Sequence, residues 1–339
     1  MLDKREAEKV LEVKNLSIEI PMDEGLLTPV RGISFFIKKG EVLGLVGESG
    51  CGKSLTSKAI LGINDKKCKT RGEILFTNDE QVLDLLKLKY GSEEIRRIRG
   101  KNASMIFQEP MAAFHPMYTV GSQINECTLL HITKNKKQAK EISLNMMKQV
   151  GIANAEKRYE QYPHEFSGGM LQRALIAMAL VCRPSLLIAD EPTTALDVTI
   201  QAQILELMKQ LQEEYRMAIL FITHDLGIVA QMCDRVAVMY LGKIVEEAPA
   251  REIYKNPKHP YTQGLIASVH KAGTHSQEKL YSIEGTVPLA LNIPVRCGFY
   301  DRCEKRIEGL CDCREPSVTD MANKRRICCF LYDEEAKCG

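Results

Sequence analysis

A glycine-rich loop near the N-terminus carries the residues best suited to chemistry. It fits the pattern G-x-x-x-x-G-K-[ST] and consists of Gly47, Glu48, Ser49, Gly50, Cys51, Gly52, Lys53 and Ser54. The glycines allow the backbone to wrap closely around phosphate, so that N–H groups and a helix N-terminus point at the anion. Lys53 would reach the β- and γ-phosphates of a nucleotide, and the Ser54 hydroxyl would ligate magnesium. The loop therefore predicts a site for a nucleoside triphosphate.

Two carboxylates end a short apolar run later in the chain. Residues 186–189 are followed directly by Asp190 and Glu191. In open α/β sheets, ligands bind beyond the carboxyl ends of the strands, so we expect both acids to face the nucleotide. Asp190 suits the magnesium shell, and Glu191 suits a general base that polarises an attacking water.

Gln108 and His224 also follow strand-like runs, at residues 103–107 and 218–223. Both should therefore lie at carboxyl ends of strands, near the same phosphates. We expect Gln108 to contact the metal or the water, and His224 to contact the γ-phosphate.

The elements that must position these residues follow from hydrophobic patterning. Alternation over residues 10–37 predicts two antiparallel strands, and the apolar run 41–46 predicts a buried strand before a helix near Lys53. Further strand-like runs, several of them separated by helical stretches, occur at residues 72–76, 103–107, 186–189, 218–222 and 236–240. This alternation predicts a parallel sheet covered by helices. Residues 119–182 are mostly helical in pattern, which predicts an inserted helical subdomain at about 112–182.

Bulk properties exclude some classes. The 339 residues carry a net charge of +2 with a pI near 7.9, which gives no electrostatic case for nucleic-acid binding. The charge-free apolar run at residues 174–182 is far shorter than the roughly 20 residues of a membrane span. The N-terminus, MLDKREAEKV, lacks the apolar core of a secretory signal. We therefore expect a cytosolic protein that reaches a membrane through partners.

The twelve cysteines are unevenly distributed. Seven lie near the C-terminus: Cys297, Cys303, Cys311, Cys313, Cys328, Cys329 and Cys338. Disulfides rarely persist in a reducing compartment, so this clustering favours metal ligation. The composition also shifts to Pro, Gly and Cys past about residue 271. This shift predicts a nucleotide-binding domain at 1–270 and a separate extension at 271–339.

With these motifs assembled, residues 11–247 resemble the ATP-binding cassette (ABC) superfamily. The motifs occur in the order of that family: phosphate loop, Gln108, Ser167-Gly168-Gly169, Asp190-Glu191, Ala195-Leu196-Asp197 and His224. The resemblance implies a P-loop (RecA-like), mostly parallel sheet with an antiparallel β subdomain, an inserted α-helical subdomain and a small Cys-rich extension. It also implies that Asp197 belongs to the nucleotide site.

The same resemblance implies a head-to-tail dimer that sandwiches two ATP molecules. Each ATP would contact the phosphate loop of one subunit and Ser167, Gly168 and Gly169 of the other. A Ser-capped helix N-terminus with two exposed glycine amides is physically suited to bind an anion.

A narrower resemblance concerns the oligopeptide/dipeptide importer ATPases, a group that includes nickel and metallophore importers. The segment from Gln108 to Gly121 and Met170 after the Ser-Gly-Gly turn are similar to that group. So are four tail segments: His259-Pro260-Tyr261-Thr262, Gly285-Thr286-Val287-Pro288, Cys297-Gly298-Phe299 and Arg302-Cys303.

The narrower resemblance implies a [4Fe–4S] cluster held by Cys297, Cys303, Cys311 and Cys329. Zinc is the alternative, because four thiolates also suit that ion. Cys313 and Cys328 remain alternatives to Cys311 and Cys329. Adenine stacking differs from many cassettes, because no aromatic residue occurs between Met1 and Phe35. Aliphatic contact through Ile20 or Val30 is expected instead.

The expected function is therefore the ATPase subunit of a peptide importer at the cytoplasmic face of the inner membrane. Its expected partners are a second, related ATPase, two membrane permeases and an extracytoplasmic substrate-binding protein. Nickel or metallophore cargo remains an alternative within this class. Two other classes are also open: a soluble cassette acting on ribosomes or nucleic acid, and an iron–sulfur enzyme with an attached ATPase.

Overall fold

The computed structural model describes residues 8–78, 81–89, 91–194, 196–268 and 283–333. The strands within these ranges are β1 (Lys9–Met22), β2 (Gly25–Lys38), β3 (Val42–Val46), β4 (Lys69–Asn78), β5 (Gln81–Asp84), β6 (Ala103–Ile106), β7 (Leu186–Asp190), β8 (Ala218–Thr223), β9 (Arg235–Tyr240), β10 (Lys243–Pro249), β11 (Val318–Met321) and β12 (Arg325–Cys328). The helices are α1 (Lys53–Ile60), α2 (Glu93–Ile98), α3 (Pro110–Ala113), α4 (Val120–His131), α5 (Lys136–Gln149), α6 (Ala155–Tyr159), α7 (Gly168–Leu180), α8 (Val198–Tyr215), α9 (Leu226–Met232), α10 (Ala250–Lys255) and α11 (Pro260–Ser268). Each strand predicted from the hydrophobic pattern is present, with bounds shifted by a few residues.

The first of two compact units is built mainly from Leu75–Ile222. In this unit β6, β7 and β8 are parallel neighbours, with Ala103 opposite Leu186 and Leu186 opposite Ala218. Every residue of these three strands is buried, which explains their continuous apolar runs. The parallel order brings the carboxyl ends of β6 and β7 to the same edge of the sheet.

Helices α4 to α7 lie between β6 and β7 along the chain, so the helical pattern predicted for residues 119–182 is confirmed. Three of them begin at a side-chain cap, which satisfies backbone N–H groups of the first turn: Thr119 for α4, Asn135 for α5 and Ser167 for α7. Helix α7 is nearly all apolar, and most of its residues from Leu171 onward are buried.

The second unit contains Glu12–Phe36, Val42–Ile74 and the described residues of Thr223–Gly339. Here β3 pairs in parallel with β9, with Leu43 opposite Arg235. The chain then turns back, and β10 pairs antiparallel with β9. All residues of β3 and β9 are buried, so the phosphate loop leaves a strand that is fixed in the core of this unit.

The C-terminal tail adds two strands to the same sheet, which the sequence pattern did not predict. Strand β12 pairs antiparallel with β10, and β11 pairs antiparallel with β12. The pairing is reinforced by an ion pair between Arg325 and Glu246, both of which are buried. Replacing one residue of such a pair strongly destabilises a protein, because the other charge is left buried without a partner.

Glu246 also accepts hydrogen bonds from the backbone N–H groups of Lys258 at 3.0 Å and His259 at 2.9 Å. One buried carboxylate therefore joins the tail to the segment that leads into α11. The predicted boundary at residues 270 and 271 lies outside the described residues. Within the described part of the chain, no helix is both long and apolar enough to cross a membrane.

Candidate functional site

The glycine-rich loop occupies the position that its motif requires, between β3 and α1. A Cβ atom at Gly47 would lie 2.1 Å from the carbonyl oxygen of Met239, and one at Gly52 would lie 2.2 Å from that of Pro29. Gly52 also has a φ of 102°, a conformation that side chains with a Cβ rarely adopt. A side chain at either position would collide with these carbonyl oxygens, so both positions accept only glycine. This close backbone packing agrees with a glycine-rich phosphate loop.

Lys53 is 5% exposed, and its ammonium group points into the loop. Its Nζ donates hydrogen bonds to the carbonyl oxygens of Gly47 at 2.7 Å and Glu48 at 3.0 Å. The cation is thus held against the loop backbone, at the N-terminus of α1. Both features attract an anion with the charge of a nucleotide phosphate.

Two residues that the sequence reasoning did not assign to the loop also contact it. The hydroxyl of Tyr261 accepts a hydrogen bond from the Glu48 N–H at 3.0 Å, and Arg302 pairs with the Glu48 carboxylate at 3.1 Å. Both residues belong to tail motifs already noted for their family pattern. No local signal reveals the contact, because the separations along the chain are 213 and 254 residues.

In the first unit, the structure brings Gln108 and Glu191 together. Gln108 Nε2 donates to Glu191 Oε2 at 3.1 Å, and the Thr194 hydroxyl donates to the same oxygen at 3.0 Å. The contact follows from the parallel pairing of β6 and β7, since each residue stands just beyond the carboxyl end of its strand. Two neutral donors hold one carboxylate oxygen without cancelling its charge, as a general base requires.

Glu191 has a left-handed backbone conformation with φ 49°, which is unusual for a residue with a side chain. Its N–H donates to the carbonyl oxygen of Ile222 at 2.9 Å, so the conformation is fixed by a bond to the end of β8. Such strain is commonly found at functional positions. The preceding Asp190 is 4% exposed and ends the buried strand β7.

The Ser-Gly-Gly turn begins α7 with an exposed N-terminus. Ser167 Oγ accepts a hydrogen bond from the Met170 N–H at 3.4 Å and caps the helix. Among the described residues, no atom lies within 4 Å of a Cβ placed at Gly168, whereas a Cβ at Gly169 would lie 2.8 Å from Ile200 Cγ2. The turn therefore presents open space at Gly168 and a packed position at Gly169.

The remaining predicted residues have less distinctive surroundings. Asp197 is exposed, and its carboxylate caps α8 by accepting from the Ile200 N–H at 3.0 Å. His224 is exposed directly after β8. Val30 is fully buried and Ile20 is half-buried, so Ile20 is the more accessible candidate for adenine contact. Ala195 lies outside the described residues.

Four tail cysteines interact electrostatically in every pairing: Cys297, Cys303, Cys311 and Cys329. Burial, and after it the charges that the other three thiols would carry, raises the pKa of Cys329 to about 12. Burial likewise raises the pKa of Cys297 to about 11. The Cys297 and Cys329 thiols are therefore neutral at neutral pH unless a cation offsets their charge.

The two rival cysteines differ from this group of four. Cys313 is exposed, whereas Cys311 is buried and the other three are half-buried. The Cys328 thiol donates to the carbonyl oxygen of Pro316 at 3.1 Å. It interacts with Arg31 and Lys243, and with Cys297 of the group of four. Thiolates are the ligand type that an iron–sulfur cluster or zinc uses, so the four cysteines match such a group in chemistry but not in arrangement. Among the described residues, no three such side chains are arranged so that they could hold a metal ion directly. Cys338 lies outside these residues.

The phosphate loop follows β3, Gln108 follows β6, Glu191 follows β7 and His224 follows β8. Together with the Ser-Gly-Gly turn at the start of α7, these motifs define an ABC-type ATPase. The family model described as ABC transporter matches residues 30–194. The fold agrees with MJ0796, described as a bacterial ABC transporter cassette in a dimeric structure. The TM-score is 0.63 and the identity 25%, over 71% of this chain and 99% of that one. The structure of cbiO1 from Clostridium perfringens gives a TM-score of 0.60 and 28% identity, over 74% of this chain and 92% of that one.

A second family model, described as the C-terminal region of oligopeptide/dipeptide transporters, matches residues 245–311. The chain is 48% identical to the dipeptide transport ATP-binding protein DppD of Bacillus subtilis, over 97% of each chain. It is 50% identical to the oligopeptide transport ATP-binding protein OppD of the same organism, over 84% of this chain and 79% of that one. The chain therefore belongs to the oligopeptide/dipeptide transporter family of ABC ATP-binding proteins.

Proposed function

We propose that this protein is the ATP-hydrolysing subunit that drives uptake of dipeptides or oligopeptides. The observation that carries this proposal is the tail, which extends the cassette beyond the ATPase core and matches the peptide-transporter C-terminal region. The names of the similar Bacillus subtilis proteins support peptide cargo over nickel or a metallophore.

In the proposed mechanism, Lys53 and the loop amides bind the β- and γ-phosphates of ATP, while His224 contacts the γ-phosphate. Glu191 polarises the attacking water, and Gln108 orients both the water and the Glu191 carboxylate. The hydrogen bond between Gln108 and Glu191 supports these last two roles. Ser54, Asp190 and Gln108 offer the oxygen ligands that magnesium prefers, and the ion would neutralise charge on the phosphates.

We further propose that a second ATPase subunit completes the site. Ser167, Gly168 and Gly169, together with Asp197, would contact the nucleotide held by that partner. The exposed N-terminus of α7 supports this arrangement, because it offers N–H groups to an anion and leaves open space at Gly168. The partner would be a related but different chain. Two permeases and a substrate-binding protein would complete the importer, with this subunit peripheral on the cytoplasmic face of the inner membrane.

Transport by the reconstituted importer tests the proposal. The complete complex in proteoliposomes should accumulate a labelled dipeptide or oligopeptide only with internal ATP, and Glu191→Gln should abolish uptake while ATP binding persists. Labelled nickel should not accumulate in the same proteoliposomes. ATP-dependent nickel uptake without peptide uptake would overturn the cargo assignment, and full activity of the Glu191→Gln variant would remove that residue as the base.

We also propose that Cys297, Cys303, Cys311 and Cys329 hold a [4Fe–4S] cluster, with zinc as the alternative. The mutual interaction of these four buried or half-buried thiols supports this ligand set. Cys313 is exposed and the Cys328 thiol donates to Pro316, which favours neither as a ligand. A bound cluster would supply the positive charge that four neighbouring thiolates need.

Two pairs of matched variants test this assignment by iron, sulfide and zinc analysis after anaerobic purification. Cys311→Ser and Cys329→Ser should lose iron and sulfide. Cys313→Ser and Cys328→Ser should retain both, although each lies within two residues of a proposed ligand. Stoichiometric zinc without iron in the unmodified protein would contradict the cluster.

A further inference from the structure

Glu48, the second residue of the phosphate loop, is held at each of its three polar groups. Its N–H donates to the Tyr261 hydroxyl at 3.0 Å, and its carbonyl oxygen accepts from Lys53 Nζ at 3.0 Å. Its carboxylate accepts from Arg302 Nη1 at 3.1 Å through both oxygens. The first and third of these partners come from the C-terminal half of the second unit, far from the loop in sequence.

The Arg302 guanidinium is fixed in place by its own surroundings. Only 7% of the side chain is exposed, compared with 29% for Glu48. Nε donates to the carbonyl oxygen of Glu284 at 2.8 Å, and Nη2 donates to that of Gly285 at 3.1 Å. The guanidinium also lies over the Tyr240 ring, with its carbon 5.8 Å from the ring centroid. Arg302 thus reaches the loop as a preorganised cation on a rigid support.

Aromatic packing supplies that support. Phe299, three residues before Arg302, is buried against Tyr240 and Tyr261 at centroid distances of 5.1 and 5.4 Å. Tyr240 ends β9, and Tyr261 is the residue that accepts from the Glu48 N–H. The same cluster therefore fixes both of the tail contacts to Glu48.

We infer that Arg302 is a positioning residue for ATP binding, which neutralises the Glu48 carboxylate so that the phosphate loop can accept a highly charged anion. A carboxylate in the loop repels phosphate, and a partly buried charge is screened less by salt than an exposed one. Arg302 offsets that repulsion by placing a positive charge 3.1 Å from both carboxylate oxygens. The tail is thereby part of the nucleotide site, although none of its residues need touch ATP.

This inference rests on the proposed nucleotide site at the loop, and binding of a fluorescent ATP analogue to the full chain tests both. Arg302→Gln should raise the Kd by roughly 10-fold at low salt, and by less at high salt. Its effect on the KM for ATP should exceed its effect on kcat. Arg302→Lys should keep the Kd within about 2-fold of the original, because the charge remains. Lys305→Gln is the matched control, since Lys305 bonds Gln263 at 2.7 Å rather than the loop.

The decisive variant combines Glu48→Gln with Arg302→Gln. If Arg302 acts by neutralising Glu48, the double variant should return to within about 2-fold of the original Kd. A double variant as weak as Arg302→Gln alone would overturn the inference, because Arg302 would then act only by anchoring the tail. An unchanged Kd for Arg302→Gln would overturn it as well. Lys53→Ala separates the two claims: normal binding by that variant would refute the proposed site itself.

Discussion

Two helix N-termini of this chain are suited to bind anions, and they are built in opposite ways. Helix α1 begins at Gly52, which offers no side-chain cap, and its first residue Lys53 is buried with its cation turned into the loop. Helix α7 begins at Ser167, which caps it, and Gly168 beside it is exposed. The first N-terminus is surrounded by groups of its own chain, whereas the second faces open space.

This difference agrees with the two half-sites proposed above. On that proposal, the α1 site combines the Lys53 cation, the glycine backbone and the Glu48 carboxylate paired with Arg302, so we expect it to hold a phosphate chain by itself. The α7 site would contribute N–H groups and the Ser167 hydroxyl, and we expect it to complete a site formed on a partner. Variants at the two N-termini should therefore affect binding and turnover differently.

Loss of Lys53 should have the largest effect. Lys53→Ala removes the cation at the phosphates, so nucleotide binding should fall below detection and hydrolysis should drop by roughly 1,000-fold. Fluorescent-nucleotide titration and phosphate release by the assembled importer measure the two quantities. A variant that binds ATP normally would show that α1 is not the self-sufficient site.

A charge at Gly168 should impair turnover but not binding. Gly168→Asp has room for its side chain, and an acid in the first turn stabilises a helix, so the fold should tolerate it. The new carboxylate repels a partner's phosphates, and hydrolysis by the complex should fall by roughly 100-fold while the Kd for ATP stays unchanged. Gly168→Ala is the neutral control and should retain most activity. Equal loss in both variants would indicate a steric effect and not an electrostatic one.

Acid should destabilise the fold through His259, which lies beside Tyr261. Burial lowers the pKa of His259 from its ordinary 6.5 to about 3, and Nδ1 accepts from the Tyr261 N–H at 3.1 Å. In the unfolded chain the His259 imidazole is protonated below about pH 6.5, whereas in the folded chain it stays neutral down to about pH 3. The free energy of unfolding therefore falls with pH in that window, by about 2 kcal/mol between pH 6.5 and pH 5.

Denaturant unfolding of the wild type and His259→Asn at pH 7 and pH 5 measures this effect. Asn keeps an acceptor for the Tyr261 N–H but does not titrate, so the variant should lose about 2 kcal/mol less than the wild type. Identical losses would show that His259 does not set the acid sensitivity.

The sequence predicted the parts of the molecule whose geometry is local. The loop at residues 47–54, the helix after it and the acids after β7 follow from a motif and a strand end, and the contact between Gln108 and Glu191 follows from parallel pairing. The pairing of β12 with β10 was missed, because Arg325 and Arg326 pair with Glu246 and Glu247 and give no apolar alternation. The contact of Arg302 with Glu48 was missed because it depends on how the tail folds back in three dimensions.

The smallest expected effect concerns Ser167, for which two variants separate helix capping from contact with a partner's phosphates. Ser167→Ala removes the cap of α7 and should cost about 1 kcal/mol of stability, which thermal unfolding can measure. Ser167→Asp restores a capping acceptor and favours the helix dipole, so its stability should match the wild type. Its negative charge would nevertheless face the partner's phosphates and slow hydrolysis more than Ser167→Ala does. If Ser167→Asp instead hydrolysed ATP at the wild-type rate, the α7 N-terminus would be a capped helix end and not a half-site.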